Sequence, residues 1–369
     1  MNFKVVSLRV KRSNLIYCIY FYLLASLAFI GCHGDPLDTP GYHEPVIVGG
    51  TIQADITWHA ADGPYRVVED LVIADSVFWQ VEAGTEILVD WNKAIEVLGV
   101  ALFRGTEQNH IVVKSEEGLW RGFRFTGRDY MEGGVVFAGL EYVDIENATT
   151  AVECVDSVGM GFCYCRFLHC DSIGVRVGSG SWVSIWGCEF INDRNLNLQT
   201  TTAIWTVSGG GVAVVETNIS GFHYGIRIQG NYYGGGSGFH LEDNLVADCS
   251  VGIICDSQDN PQIIDNCFRG NDIAVLINQG SMPLSGNDFI KNTECIHVEG
   301  PCTPTAHQNN FIDTGQWAWW NATRDSVDAT ENWWGTTDPD SIAALIYDQE
   351  DDSALGLVQF EPFLTSPRP

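Results

Sequence analysis

Six tetrapeptides in this chain, GVRV, AIWT, GIRI, GIIC, AVLI and CIHV, share one form: a small residue, then an inward, an outward and an inward side chain. Read down the outward position, with neighbouring segments included, the series is Glu153, Arg176, Trp205, Arg227, Ile254, Leu276, His297 and Trp319. Arg176, Trp205 and Arg227 put two cations on either side of an indole. That combination suits a sugar, because an indole covers the apolar face of a pyranose and a guanidinium pairs with carboxylate, sulfate or hydroxyl. Two irregular stretches lie beside these residues, 192–202 (NDRNLNLQTTT) and 229–238 (QGNYYGGGSG). Long loops on a regular scaffold commonly carry binding, so Tyr232, Tyr233, Asn195, His223 and His240 join the candidate contacts. If His223, Arg227 and His240 converge they also have the chemistry for acid–base work. The structural alternative is that Arg176 pairs with Glu153 and a loop covers Trp205.

Other residue clusters are read more plainly. The acidic run at 348–352 (DQEDD) has the oxygen ligands calcium takes, or else is a solvated loop. Of the 12 cysteines, Cys165, Cys188 and Cys255 stand where related segments carry Asn, Thr or aliphatic residues, which reads as small buried side chains. Cys295 and Cys302, on either side of a Gly-Pro turn, are the expected disulfide, and no spacing resembles a zinc site.

Positioning these residues is the work of a repeat. EDNLVADCSVGIIC, IDNCFRGNDIAVLI, SGNDFIKNTECIHV and HQNNFIDTGQWAWW align on Asn244, Asn266, Asn287 and Asn309, and the spacing continues to Asn332. Two positions after each stands Val246, Phe268, Phe289, Phe311 or Trp334. Upstream, Cys165, Cys188 and Thr217 occupy the Asn position. A period of about 22 residues with short strands and tight turns is one coil of a parallel β-helix, which buries its inward residues only by stacking on the next coil. Asparagines recurring at one turn form a ladder of amide bonds from coil to coil. With coils about 4.8 Å apart, Arg176 and Arg227 are expected roughly 10 Å from each other.

On these repeats the chain resembles right-handed parallel β-helix proteins of the pectate-lyase-like class. The stretch YRVVEDLVIADSVFWQVEAGTEILV through GTEQNHIVVKS to Trp120-Arg121-Gly122 is similar to the opening coils of a group of bacterial surface β-helix proteins. The end, NWWGTTDPDSIAALIYDQEDD with GLVQFEPFL, is similar to that group's terminal cap. The resemblance spans residues 50–366 and implies an all-β solenoid over residues 49–332, closed by a cap at 333–369 with a short helix. Asp338-Pro339 is a good helix start leading into SIAALIY. Polysaccharide lyases of this fold use an Arg or Lys base with a cation, and pectin hydrolases use clustered aspartates. Neither local motif is intact here, so no catalytic residue is assigned, and a lyase or glycoside hydrolase activity stays open.

Residues 1–31 read as an export signal, with a basic start, the apolar run LIYCIYFYLLASLAFI, then Gly31-Cys32. Phe29-Ile30-Gly31-Cys32 resembles a bacterial lipobox, which implies lipid on Cys32 and a tether over residues 32–48. An uncleaved membrane anchor is the other reading, though the apolar run is short for a span. Both place the fold outside the cytoplasm, in the cell envelope or at its outer surface. Without Lys4, Arg9, Lys11 and Arg12, 15 of the 19 basic residues face 47 acidic ones, a formal charge of −32. So acidic a surface repels nucleic acid, and the expected partners are a polysaccharide or cell-surface glycan and, through the lipid, a membrane; the chain is expected to be monomeric. Two functions follow: binding of an extended polysaccharide, with or without its processing, or a surface scaffold or adhesin without glycan chemistry.

Overall fold

The computed structural model describes residues 44–127, 136–193, 201–207, 209–230 and 238–369. The signal segment, Cys32, Asn195, Tyr232 and Tyr233 lie outside the described residues.

Within the described residues all strand pairing between coils is parallel, in one sheet of 23 strands and one of 13. The larger sheet holds two stacks. They join at Tyr65–Ile73, whose first residues pair with Glu86–Val89 and whose last pair with Ala94–Val97. Each coil therefore contributes one strand to each of three faces. The strands begin at Val46, pairing Val46–Ile52 with Tyr65–Ile73, so the stretch expected to be tether as far as residue 48 already contains a strand.

The alternation of side chains in each strand fills the interior with stacked residues, and like stacks on like. Phe167 lies on Phe190 with ring centroids 4.3 Å apart. Phe268, Phe289, Phe311 and Trp334 form a column with spacings of 5.1, 5.1 and 4.6 Å. Beside it runs the asparagine ladder. The backbone N–H of Asn244 donates to Asn266 Oδ1 (3.0 Å), Asn266 to Asn287 (2.9 Å), Asn287 to Asn309 (2.8 Å) and Asn309 to Asn332 (2.8 Å). Thr217 N–H donates to Asn244, Cys188 N–H to Thr217 Oγ1 and Cys165 N–H to Cys188 Sγ, so one line of bonds runs from Cys165 to Asn332. A second ladder, one turn further along each coil, links Cys249, Asn271 and Asn292 in the same manner.

Three expectations are corrected. Cys295 and Cys302 are free thiols. Cys295 is fully buried beside Thr314, while the Cys302 thiol donates to Glu299 O at 3.1 Å. Each fills its own interior position, and burial pushes their pKa values up to about 12 and about 11. The helix expected across SIAALIY covers only Pro339–Ala343, capped by Asp338 accepting from Ser341 N–H. It stops because Ile346–Tyr347 are drawn into the parallel ladder opposite Trp319 and Trp320, where a strand is required. Lastly, Trp320 and not Trp319 takes the outward position opposite His297, while Trp319 is fully buried. The turn at residues 313–316 is one residue longer than the preceding coil's turn at 291–293, which shifts the strand by one place and so to the other face.

At this end Leu345, Phe360 and Phe363 pack against the core. The tail then returns along the coils, where Arg368 bonds the Asn310 side chain, Gly286 O and Asp265. The acidic run stays local. Asp348 is buried and accepts from Glu350 N–H at 2.9 Å and Val358 N–H at 2.7 Å.

Candidate functional site

The small residue opening each tetrapeptide has a steric cause. A Cβ on Gly174 would lie 2.5 Å from Ala203 O, and one on Gly225 2.5 Å from Gly252 O, so the coils approach too closely there for a larger residue. From that bend, Val175, Val177, Ile204, Thr206, Ile226 and Ile228 turn inward and are fully buried. Arg176, Trp205 and Arg227 are left facing out, directly opposite one another on successive coils.

Upstream the column is longer than the sequence reading proposed: Val72, Glu96 and Arg124 precede Glu153 in register. The charges alternate and pair. Arg124 lies 4.0 Å from Glu96 and 3.4 Å from Glu153, and Glu153 also holds Arg176. The alternative in which Arg176 pairs with Glu153 therefore describes this part of the column. The alternating strands GFRFT and AIEV carried the signal for Arg124 and Glu96.

Trp205 does not offer its faces to a ligand. The Arg176 guanidinium lies 5.4 Å from its ring centroid and the Arg227 guanidinium 5.2 Å, one from each neighbouring coil, so the ring stacks along the coil axis as the interior aromatics do. Its Nε1 donates to Gln229 at 3.2 Å. The expectation of a sugar stacked on this indole is corrected accordingly: only its edge is presented.

Arg227 differs from the other arginines of the column. It lies over Trp205 and also over Tyr224 at 5.5 Å, has no carboxylate partner among the described residues, and keeps a buried Nε without a hydrogen-bond partner. Two aromatic rings hold its guanidinium in place, and with its Nε buried it is the two terminal nitrogens, free of any carboxylate among the described residues, that suit end-on bidentate contact with a planar anion.

His223 belongs to this cluster. It closes the turn before Tyr224, its ring centroid 4.2 Å from that of Tyr224, and burial holds its imidazole below its ordinary pKa, which favours the neutral form at pH 7. His240 does not. It sits on the 13-strand sheet between Ala213 and Gln262, its Nε2 2.7 Å from Glu242, and therefore on a different face from Arg227. The structure thus unites His223, Tyr224, Arg227, Trp205, Arg176 and Glu153. Tyr224 and Gln229 were missed by the sequence reading, since their roles follow from ring orientation. Among the described residues no cluster of three or more His, Cys, Asp or Glu side chains could hold a metal ion.

Residues 140–311 match a family described as right handed beta helix region. Comparison with curated proteins finds no match. Among solved structures the chain is similar to the periplasmic alginate epimerase AlgG, with a TM-score of 0.58 at 10% identity over 85% of this chain and 82% of that one. A mutant of that epimerase aligns over 80% and 77% at 10% identity with a TM-score of 0.31. The strand register, the family match over residues 140–311 and the likeness at a TM-score of 0.58 together give the chain the fold of a parallel β-helix repeat protein.

Proposed function

We propose that this protein binds an extended anionic polysaccharide in the cell envelope, with Arg227 as the anchoring residue. The observation that carries the reading is the Arg227 guanidinium, ordered by Trp205 and Tyr224 and without a carboxylate partner among the described residues, in a chain of net charge −28. Two further points support it. An extended glycan repeats at about 5 Å per sugar, close to the coil spacing of about 4.8 Å, so successive residues meet equivalent positions on successive coils. The similar fold of the alginate epimerase makes alginate, a carboxylate-bearing polysaccharide, the first ligand to try. Upstream, Glu96, Arg124, Glu153 and Arg176 satisfy one another and hold the scaffold rather than the ligand. In titration calorimetry, Arg227→Gln is expected to weaken binding of alginate oligosaccharides roughly tenfold or more, the loss of about 1.4 kcal/mol or above that goes with a charge-assisted bond. Equal affinity of parent and variant, or no saturable binding by the parent, sinks the reading and leaves the scaffold function in its place.

The location is proposed on the sequence alone: a lipid on Cys32 tethers the fold to a membrane of the envelope. Cys32→Ala is expected to move the protein from membrane to soluble fractions; unchanged mass and partitioning would rule the lipid out.

A further inference from the structure

Toward the N-terminal coils from the arginine cluster, Trp91 stands open to solvent. It is 67% exposed, the largest value among the described large hydrophobic residues, and it belongs to the turn between the strands Glu86–Val89 and Ala94–Val97. That turn is fixed: Lys93 N–H donates to Asp90 O at 3.2 Å and Asn92 N–H to Leu119 O at 2.9 Å. The indole rests against Gly118, where a Cβ would lie 2.7 Å from Cδ1, so glycine is what lets the ring settle on the neighbouring turn. Beside it opens a cleft of about 310 Å³ lined by Arg66, Asp90, Lys93, Ser115, Glu116 and Glu117 among others. Arg66 is held there by Asp90, Nε to Oδ1 2.8 Å, and lies 3.9 Å from Glu116.

An exposed indole beside this cleft joins one apolar face to a few convergent polar groups, the composition of a small-ligand site. The chemistry of the cleft selects among ligands. Its three carboxylates outnumber Arg66 and Lys93, so phosphate, sulfate and uronate are disfavoured. Carboxylates accept from hydroxyl groups, Arg66 and Lys93 donate to hydroxyl or ring oxygens, and an indole face covers the axial C–H groups of a pyranose whose hydroxyls are equatorial. We infer that the Trp91 cleft is a binding site for a neutral, gluco-configured oligosaccharide. It is separate from the arginine cluster: Glu96, on the strand after this turn, stands four coils before Trp205, on the order of 19 Å along the axis.

The test is calorimetric titration of the purified full chain with cellohexaose. The parent is expected to show saturable binding, Trp91→Ala to weaken it roughly tenfold or more, and Glu116→Gln to weaken it with less effect. Because Trp91 is exposed, Trp91→Ala should unfold at the parent's temperature, which separates lost contact from lost fold. Arg227→Gln is expected to bind cellohexaose as the parent does, so failure of the alginate reading leaves this one standing, and the converse. Absence of saturable cellohexaose binding by the parent, or equal affinity in Trp91→Ala, overturns the inference.

Discussion

Gly122→Ala is expected to cost about 3–6 kcal/mol, enough to unfold much of the population of a domain whose whole stability is of order 5–15 kcal/mol. Gly122 opens the strand Gly122–Thr126 with φ of +103°, where an L side chain is strained. A Cβ there would lie 1.6 Å from Thr150 O and 3.0 Å from Ala151 O. Those oxygens belong to the next coil's backbone, which is tied into its own ladder opposite Phe123 and Phe125 and cannot retreat without breaking it. Gly161→Ala is the matched control. A Cβ at Gly161 meets nothing within 4 Å, so that variant is expected to stay within about 0.5 kcal/mol of the parent. Urea unfolding followed by circular dichroism measures both; a Gly122→Ala midpoint indistinguishable from that of Gly161→Ala would mean the coils are looser than described.

The second large effect is expected at Asn287, which is fully buried. Its Nδ2 donates to Ile263 O at 2.9 Å and to Asn309 Oδ1 at 3.0 Å, while its Oδ1 accepts from Asn266 N–H at 2.9 Å and Asn266 Nδ2 at 3.1 Å. Alanine leaves groups on both neighbouring coils unpaired and out of reach of water. With each orphaned group costing about 1–3 kcal/mol and some relaxation, Asn287→Ala should lose about 3 kcal/mol. A loss below about 0.5 kcal/mol in the same urea experiment would show that water or a neighbour replaces the amide, and the ladder would then contribute little to stability.

These two residues also mark what the sequence made legible. Asn287 announces itself, because a ladder needs the same amide at the same turn of every coil, and that demand appears as a spacing. The outward column was readable for a related reason, since alternation in a strand assigns faces. Where the coil length changed, that logic failed: one additional residue at 313–316 put Trp320 where Trp319 was expected. The second ladder through Asn271 and Asn292 was present in the spacing, five residues after Asn266 and Asn287, but its turn is less uniform in the other coils. What spacing does not encode is side-chain orientation. That Trp205 lies face-on between two arginines with its edge outward, and that Arg227 alone of the three arginines in that column lacks a carboxylate among the described residues, depends on rotamers chosen by neighbours in three dimensions. The same holds for Cys295 and Cys302, close in sequence yet each turned into a different part of the interior.

The alternating charges of Glu96, Arg124, Glu153 and Arg176 bear on how the chain finds its fold. Coils this alike are nearly interchangeable to the backbone, and a growing solenoid can skip one and still make every strand bond. Skipping the coil of Glu153 would set Arg124 against Arg176, and skipping that of Arg124 would set Glu96 against Glu153. Like charges directly opposite one another destabilise a strand pair, whereas the native order places an opposite charge at each step. The column thus works like a parity check on register, since any single omitted coil there brings like charges together at a cost of about 0.2–1 kcal/mol.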